Sequence, residues 1–222
     1  MPIITISKEF GSGATTLAQR LAKTLKYHYV DKGLVIEVAR RQKVNPEEVE
    51  EWDMESHSKW KAVLSKYFDI HPFKGGFEFQ SLSVESDRPI RFTPGFIDTT
   101  IYQKMTHKLI LELADRDNVV IVGRGSQHIL SDRPNALHVR IVCPLEERIE
   151  RTTELKKLSR TEAGNLVRDT DRRSKQYVRH YYNIDPEDPR HYHMVLNTGR
   201  LSLEEAADII IKGLKTLKAA AH

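Results

Sequence analysis

The chain has a single cysteine, no long apolar run, and no internal repeat or low-complexity segment. With Cys143 alone no disulfide can form within the chain, and because this thiol ends an apolar run we expect it to be buried and structural. No apolar stretch approaches the roughly 20 residues that span a bilayer. A strand pattern begins directly after Met1, where a signal peptide would lie. We therefore expect a cytoplasmic protein without a membrane partner.

Charge of one sign is not in large excess. The net charge is +4 at pH 7 and the isoelectric point is near 9.0. This mild basicity does not argue for a nucleic-acid partner, and no nucleic-acid-reading motif accompanies it. Bases do concentrate locally, since eight lysines and arginines face three acids between Lys156 and Arg179. The pattern predicts a strongly basic helix there.

Strand-like and helix-like patterns alternate along the chain. Short runs rich in apolar and β-branched residues predict strands at IITIS, HYVD, NVVIVG, ALHVRIVC and HMVLNT. Amphipathic patterns between them predict helices. Ser159 with Glu162, and Ser202 with Glu205, have the spacing of capping boxes at helix starts. The alternation predicts an α/β fold with a parallel sheet covered on both faces, which binds ligands at the carboxyl ends of its strands.

The segment after the second predicted strand has a different character. It predicts one helix through KGLVIEVARRQ and another from NPEEVEEW, where Asn45 caps and Pro46 suits the first helical position. From about Ile70 to Gly95, prolines, glycines and aromatic residues predict an irregular excursion. A helix resumes at DTTIYQKMTHKLILELAD.

The segment ITISKEFGSGATTLAQRLA predicts a strand, a glycine-bearing turn and a helix. Gly11 and Gly13 allow backbone N–H groups to face an anion, and the helix N-terminus adds partial positive charge. Thr15 stands where the phosphate loop GxxxxGK[ST] has its Mg²⁺-binding hydroxyl, but Ala14 replaces the lysine. Lys8 is our candidate for the missing cation, because a flexible lysine can reach back over the loop. Alternatively, Lys8 is solvated and the glycines only build a tight turn.

Four segments together resemble the cytidylate kinase-like family, a divergent branch of the nucleoside monophosphate kinases: ITISKEFGSGATTLAQRLA, NVVIVGRGS, VRDTDRRSKQYVRHYY and MVLNTGRLSLEEA. The resemblance runs from Ile3 to about Leu214, and family members share the displaced base before EFGSG. It implies a single P-loop NTPase-type domain, a three-layer sandwich around a parallel sheet. The implied parts are a core at residues 1–31, 97–154 and 189–218, a helical monophosphate-binding insert at 32–96 and a helical lid at 155–188.

The resemblance implies a donor site in the glycine turn. Its phosphate-binding residues would be Gly11, Ser12, Gly13, Ala14, Thr15 and Thr16, which hold ATP through backbone N–H groups. The Thr15 hydroxyl would lie near Mg²⁺, and Lys8 would act as the catalytic cation.

The resemblance also implies catalytic arginines. Arg124, in VGRGS, matches the arginine that grips the acceptor phosphate, where a planar fork suits bidentate contact; the alternative is a surface arginine that closes a turn. Arg168, Arg172 and Arg173 on the lid helix would neutralise the phosphoryl group in flight; the alternative is an ordinary solvated helix face. We expect two aspartates to orient these lid arginines by ion pairing, namely Asp169 and Asp171.

The acceptor site is where the sequence departs from the better-known family members. Asp31, after the second strand, matches an acid that either binds substrate or caps the next helix. Lys32 and Glu37 replace a serine and an arginine of those members, and Gly125 replaces an acid. These changes leave phosphoryl transfer intact as a prediction but put CMP specificity in question.

The sequence thus predicts Mg²⁺-dependent phosphoryl transfer from ATP to a nucleoside monophosphate. Two alternatives stay open: a kinase for another small acceptor, and a non-catalytic nucleotide sensor. The expected partners are small nucleotides, with no nucleic acid and no membrane. The aromatic insert offers a surface through which copies of the chain could self-associate.

Overall fold

The computed structural model describes residues 2–31 and 99–220, with backbone only at 99–105 and 218–220. Within these residues the strands are β1 (Ile3–Lys8), β2 (His28–Val30), β3 (Val119–Val122), β4 (Ala136–Val142) and β5 (Met194–Asn197). The helices are α1 (Ala14–Leu25), α2 (Thr99–Asp115), α3 (Ser126–Ile129), α4 (Leu145–Lys156), α5 (Arg160–Tyr182) and α6 (Leu203–Ala220), and a 3₁₀ turn covers Pro189–His191. The two helices predicted after Asp31, the irregular excursion, the insert at 32–96, and the departures at Lys32 and Glu37 lie outside the described residues.

The strands form one sheet in the order β2-β3-β1-β4-β5. β1 pairs in parallel with β3 and β4, and β4 pairs in parallel with β5. The predicted α/β fold with a parallel sheet is therefore confirmed. Because parallel strands end at the same edge, the turn after β1 and the turn after β3 lie side by side at the carboxyl edge, where ligands bind in such sheets.

One face of the sheet carries the main core. Ile4 and Ile6 of β1 are fully buried and belong to a cluster that includes apolar side chains of β4, α1 and α6. Leu17 and Leu21 supply the buried face of α1, as their spacing of four residues predicts. This core fixes the start of α1 against the end of β1, and so fixes the glycine turn between them.

The opposite face of β1 and β4 carries several polar side chains, besides buried apolar residues such as Ile3. The Thr5 hydroxyl lies 2.8 Å from Nδ1 of the buried His138, and Arg140 donates to the Ser7 hydroxyl at 3.2 Å. The Tyr192 hydroxyl donates to the Pro186 carbonyl at 2.8 Å and lies 3.2 Å from the same Ser7 oxygen. Alternation along β1 and β4 therefore places these polar side chains in a hydrogen-bonded layer on the face opposite the main core.

Both predicted capping boxes are present. Glu162 N–H donates to the Ser159 hydroxyl, and the Ser159 N–H donates back to the Glu162 carboxylate at 2.9 Å. Ser202 and Glu205 make the same reciprocal pair at the start of α6. These hydrogen bonds satisfy N–H groups that a helix start leaves unpaired, so they set where α5 and α6 begin.

By its internal contacts the chain divides into two compact units. One comprises Met1–Tyr29 with Ile110–His222, and the other comprises Val30–Leu109. Both turns at the carboxyl edge and the whole of α5 belong to the first unit. Among the described helices, none has the length and apolar character needed to cross a membrane.

Candidate functional site

The turn after β1 has the backbone of an anion-binding loop. Gly11 and Gly13 adopt left-handed conformations with φ of 78° and 77°. Gly13 is the N-cap of α1 and makes no side-chain cap hydrogen bond, and the first turn of the helix carries no acid. The N-terminal N–H groups of α1 thus keep their partial positive charge, in contrast to the capped start of α5. This geometry suits a phosphate group.

Ser12 lies at the centre of this loop and is 1% exposed. Its hydroxyl has no hydrogen-bond partner among the described residues, so a buried polar group is available to a ligand in the loop. Its carbonyl oxygen is fixed, because the Thr198 hydroxyl donates to it at 2.7 Å and Arg151 donates at 3.2 Å. The loop therefore offers a buried hydroxyl to a bound phosphate, while Thr198 and Arg151 hold its backbone in place.

The position of the missing lysine faces the protein interior. Ala14 is 1% exposed and belongs to the main core cluster. A lysine here would have to place its stem in that core. The cation comes instead from the end of β1, where the Lys8 ammonium donates to Thr15 Oγ1 at 2.7 Å. The structure thus brings together the two groups that the sequence singled out, and Thr16 lies exposed beside them.

A buried arginine supports the loop from behind. Arg148, on α4, is 7% exposed and donates to the Phe10 carbonyl at 3.2 Å and to the Cys143 carbonyl at 2.9 Å. It also donates to Asp171 of α5 at 2.5 Å, and Asp171 accepts the Phe10 N–H at 2.8 Å. Both polar groups of the Phe10 backbone are therefore bound by one ion pair. This pair joins α5 to the phosphate loop.

Glu9 completes the support. Its carboxylate accepts the Cys143 N–H at 2.9 Å and lies 3.6 Å from Arg148 Nε and 4.0 Å from Arg140 Nη2. One carboxylate thus balances two buried guanidinium groups next to the loop. Cys143 itself is buried, as predicted, and burial raises the pKa of its thiol, so the thiolate is disfavoured.

Apolar packing reinforces the same junction. The Phe10 side chain clusters with Ile149 of α4 and with Ala163 and Val167 of α5. Ala163 and Val167 are four positions apart on α5 and so share one face of this helix. The amino-terminal half of α5 is therefore packed against the phosphate loop, beside the ion pair of Asp171.

The turn after β3 carries Arg124. This residue has φ of 61°, between Gly123 and Gly125 at 76° and 68°. Its guanidinium lies 5.4 Å from the centre of the Tyr177 ring, and its carbonyl accepts the Tyr182 hydroxyl at 3.0 Å. The carboxyl-terminal half of α5 therefore contacts the second turn, as its other half contacts the first.

The lid arginines lie on the exposed side of α5. Arg168, Arg172 and Arg173 are all exposed. Arg172 pairs with Asp169 at 2.7 Å, as expected, whereas Arg168 and Arg173 have no ion-pair partner in the described parts of the chain. The expectation that Asp171 also orients these arginines is wrong. Asp171 faces the phosphate loop and Arg148 instead. Each residue turns a helix by about 100°, so Asp171 and the adjacent Arg172 point to different sides of α5.

Three contributors to the site were missed in the sequence. Arg148 and Arg151 lie in the charged segment PLEERIERTTELK, which predicts a helix but does not reveal which charges are buried. Thr198 follows β5 in an apolar strand context. A signal was available for Thr198, because polar residues directly after parallel strands meet at the carboxyl edge of a sheet. For the two arginines, only the packing of α4 distinguishes them from solvated charges.

Asp31 and the buried His138 complete the description of the site. Asp31 directly follows β2 and is partly buried, at the boundary of the described residues. Within residues 2–31 and 106–217, no three or more histidine, cysteine, aspartate or glutamate side chains form a group that could hold a metal ion. His138 is buried, and this burial together with the neighbouring His193 lowers its pKa to about 4, so the imidazole is neutral at pH 7.

Solved structures with a similar fold include an uncharacterised protein from Eubacterium ventriosum. It is 22% identical, with a TM-score of 0.67 over 97% of this chain and 99% of that one. A gluconokinase from Sinorhizobium meliloti is 12% identical, with a TM-score of 0.52 over 100% of this chain and 98% of that one. At these identities the similarity shows the fold alone.

Curated sequence relatives include a kinase and an isomerase, which match very different shares of the chain. The cytidylate kinase of Thermococcus kodakarensis is 25% identical over 197 residues, which cover 88% of this chain and 79% of that protein. A uronate isomerase from Corynebacterium glutamicum is 27% identical over 96 residues, but these cover only 43% of this chain and 18% of that protein. The family model described as the cytidylate kinase-like family matches residues 3–200. Since this match takes in both turns at the carboxyl edge and the whole of α5, the chain belongs to the cytidylate kinase-like family.

Proposed function

We propose that this chain catalyses Mg²⁺-dependent transfer of a phosphoryl group from ATP to a nucleoside monophosphate. The observation that carries the proposal is the pairing of Lys8 with Thr15 beside an uncapped helix start. It supplies a cation to a loop whose own lysine position is buried. Membership of a kinase family supports the reaction class. Such transfer needs two anions aligned and their charge neutralised more than it needs covalent help from the protein.

The donor phosphates would lie in the loop between β1 and α1. The N–H groups at the start of α1 and the buried Ser12 hydroxyl would bind phosphate oxygens. Lys8 would neutralise charge on the donor phosphates. Arg148, Arg151 and Thr198 would act from behind, because they bind loop carbonyl groups and so keep the N–H groups turned toward the ligand.

A magnesium ion bound with ATP would supply further charge neutralisation and fix the phosphate geometry. Thr15 is the residue that would hold it, through its hydroxyl oxygen. Because the Lys8 ammonium lies 2.7 Å from that oxygen, a metal role for Thr15 requires Lys8 to turn toward the phosphates when they bind. A lysine has the rotatable bonds for this movement, since its charge sits on a flexible stem.

The acceptor phosphate would be held by Arg124. This residue lies at the end of β3, next to β1 in the sheet, so its turn neighbours the donor loop. The exposed Arg168, Arg172 and Arg173 would neutralise the group in flight once the lid covers the site. Asp31 would contact the acceptor from the end of β2.

A second candidate function keeps the donor site and changes the acceptor to another small molecule. It is favoured by Gly125, which stands where better-known family members carry an acid. A Cβ atom at Gly125 would lie 2.2 Å from the Tyr182 ring, so this turn has no space for an acidic side chain. An acceptor contact made by that acid elsewhere in the family is therefore absent from this position.

The test is ADP release from Mg·ATP with a panel of ribo- and deoxyribonucleoside monophosphates, and with an acceptor-free control. A rise with any monophosphate supports the proposal, and the preferred base identifies the acceptor. Phosphorylation only of small hydroxylated metabolites in a parallel panel supports the second candidate. ATP binding with no turnover on either panel contradicts both and leaves a nucleotide sensor.

The role of Arg124 is tested within the same assay. Arg124→Ala should raise the KM of the acceptor strongly and leave ATP binding close to that of the wild type. Arg133→Ala is a matched control, because Arg133 lies at the surface in an ion pair with Asp115. An equal loss of acceptor and ATP affinity in Arg124→Ala would remove Arg124 from the acceptor site.

A further inference from the structure

The turn after β3 has an unusual backbone. Three consecutive residues, Gly123, Arg124 and Gly125, have φ of 76°, 61° and 68°. Glycine adopts this left-handed region freely, but a residue with a side chain does so at a cost. Arg124 is the residue whose guanidinium the proposed function uses. The neighbouring structure must therefore hold Arg124 in this conformation.

Tyr182, in the last turn of α5, contacts this backbone directly. Its hydroxyl donates to the Arg124 carbonyl oxygen at 3.0 Å. Its ring fills the space beside Gly125, where a Cβ atom would lie 2.2 Å from ring atom Cε2. The hydroxyl thus orients one peptide plane of the turn, while the ring is in contact with the next residue.

The ring of Tyr182 is itself well fixed. Its centroid lies 5.2 Å from that of His128 on α3 and 6.2 Å from that of Tyr177 on α5. Tyr177 in turn carries the Arg124 guanidinium over its face at 5.4 Å, within the range of a cation–π contact. The two tyrosines therefore hold both ends of Arg124: Tyr182 its backbone and Tyr177 its charged group.

We propose that Tyr182 is a positioning residue for Arg124. From the lid helix, it stabilises the left-handed conformation of Arg124 and so aims the guanidinium at the acceptor. The same helix binds the phosphate loop through Asp171, which accepts the Phe10 N–H at 2.8 Å. α5 therefore sets the geometry of both turns. This inference rests on the proposed role of Arg124 in acceptor binding.

The first test is kinetic and uses Tyr182→Phe, which removes the hydroxyl and keeps the ring. With ATP and the best monophosphate of the panel, we expect the KM of the acceptor to rise roughly fivefold, as for the loss of one hydrogen bond. The KM of ATP should not change. Tyr181→Phe is the matched control, because the Tyr181 hydroxyl makes no hydrogen bond within the described part of the chain, and it should behave as the wild type.

A double-mutant cycle separates positioning from general stability. In an Arg124→Ala background, Tyr182→Phe should not raise the acceptor KM further, because the group that it positions is gone. Equal effects of Tyr182→Phe with and without Arg124 would overturn the proposal. So would a rise in the KM of ATP as large as that of the acceptor.

The second test does not depend on turnover. The Arg124 Nε–H resonance, assigned with Arg124→Lys, reports the position of the guanidinium over the Tyr177 ring. Tyr182→Phe should shift this resonance, and Tyr181→Phe should not. If no acceptor supports turnover, the proposed function fails while this measurement still decides the positioning role. An unchanged Arg124 resonance in Tyr182→Phe contradicts that role, whatever the enzyme activity.

Discussion

The Lys8 ammonium lies 2.7 Å from Thr15 Oγ1, across the glycine turn that joins β1 to α1. This contact brings a cation from the strand to the start of the helix. In the phosphate loop GxxxxGK[ST] the cation precedes the threonine directly, but here that position is Ala14, which is 1% exposed. The chain therefore buries the position that carries the lysine in that loop. The positive charge comes instead from Lys8, at the end of β1.

Replacing Lys8 by Met should lower kcat/KM for phosphoryl transfer roughly a hundredfold or more, because one preorganised charge on the donor phosphates is lost. Methionine keeps a similar stem, so the fold should be unaffected. The measurement is steady-state ADP release with ATP and acceptor varied separately, together with urea unfolding to confirm stability. Lys23→Met, at an exposed position of α1, is the control and should retain full activity. A Lys8→Met enzyme with the wild-type rate would show that the cation comes from elsewhere.

Replacing Asp171 by Ala should lower the free energy of unfolding by about 3 kcal/mol, since the buried Arg148 would lose its direct ion pair. It would keep only the Glu9 carboxylate, which lies 3.6 Å from its Nε and is shared with Arg140. The Phe10 N–H would lose its acceptor at the same time. The measurement is urea unfolding followed by circular dichroism.

Asp169→Ala is the matched control for Asp171→Ala. Asp169 lies two positions earlier on α5 and pairs with Arg172, whose side chain is 67% exposed. Exposed pairs contribute about 0–1 kcal/mol, so this variant should be close to the wild type. Equal losses in the two variants would mean that the Asp171–Arg148 pair has no special role in joining α5 to the phosphate loop.

Much of the fold follows from local pattern. The runs at Ile3–Lys8, Val119–Val122 and Ala136–Val142 form strands of one parallel sheet, because nearly continuous apolar runs suit strands covered on both faces. Capping boxes locate the starts of α5 and α6 within a residue. These signals depend only on residues close in sequence, so they predict the elements without the tertiary structure.

The partners of the charged residues do not follow from pattern. Asp169 and Asp171 are two positions apart and chemically identical, yet one faces solvent and the other the phosphate loop. In the sequence, nothing distinguishes Arg148 and Arg151 from the solvated charges around them. Only the packing of α4 in the folded structure does so. The sequence predicted where anions would bind, but not which side chains hold the loop, because these contacts join residues more than 100 positions apart.

Comparing Gly125→Ala with Gly123→Ala should reveal how closely Tyr182 packs on the turn. Both glycines have positive φ, so either alanine should cost about 1 kcal/mol of stability from backbone strain. At Gly123 a Cβ atom would meet no atom of the described residues within 4 Å. At Gly125 it would meet the Tyr182 ring at 2.2 Å, which should add about 2 kcal/mol.

Urea unfolding of both glycine variants measures this difference. Adding Tyr182→Ala should recover part of the loss in Gly125→Ala, because the ring that clashes is removed, but should not help Gly123→Ala. Equal stabilities for the two single variants would mean that the Tyr182 ring moves aside without cost.

The pH dependence of stability should report the burial of His138. Burial and the neighbouring His193 lower its pKa to about 4 in the folded protein, below the value of about 6.5 in an unfolded chain. The unfolded state therefore binds this proton more readily than the native state. The contribution of His138 to stability is complete above pH 6.5 and is lost as pH falls from 6.5 toward 4. The full loss is up to about 3 kcal/mol.

The comparison that isolates this effect is the free energy of unfolding at pH 7 and at pH 4.5, in the wild type and in His138→Gln. The pKa of His28 is also lowered by burial, so the wild type alone would mix two histidines. Glutamine at 138 cannot titrate in this range, and the variant should therefore lose less stability between the two pH values than the wild type does. The same loss in both proteins would mean that His138 titrates normally, and that the polar layer between β1 and β4 admits a charged imidazole.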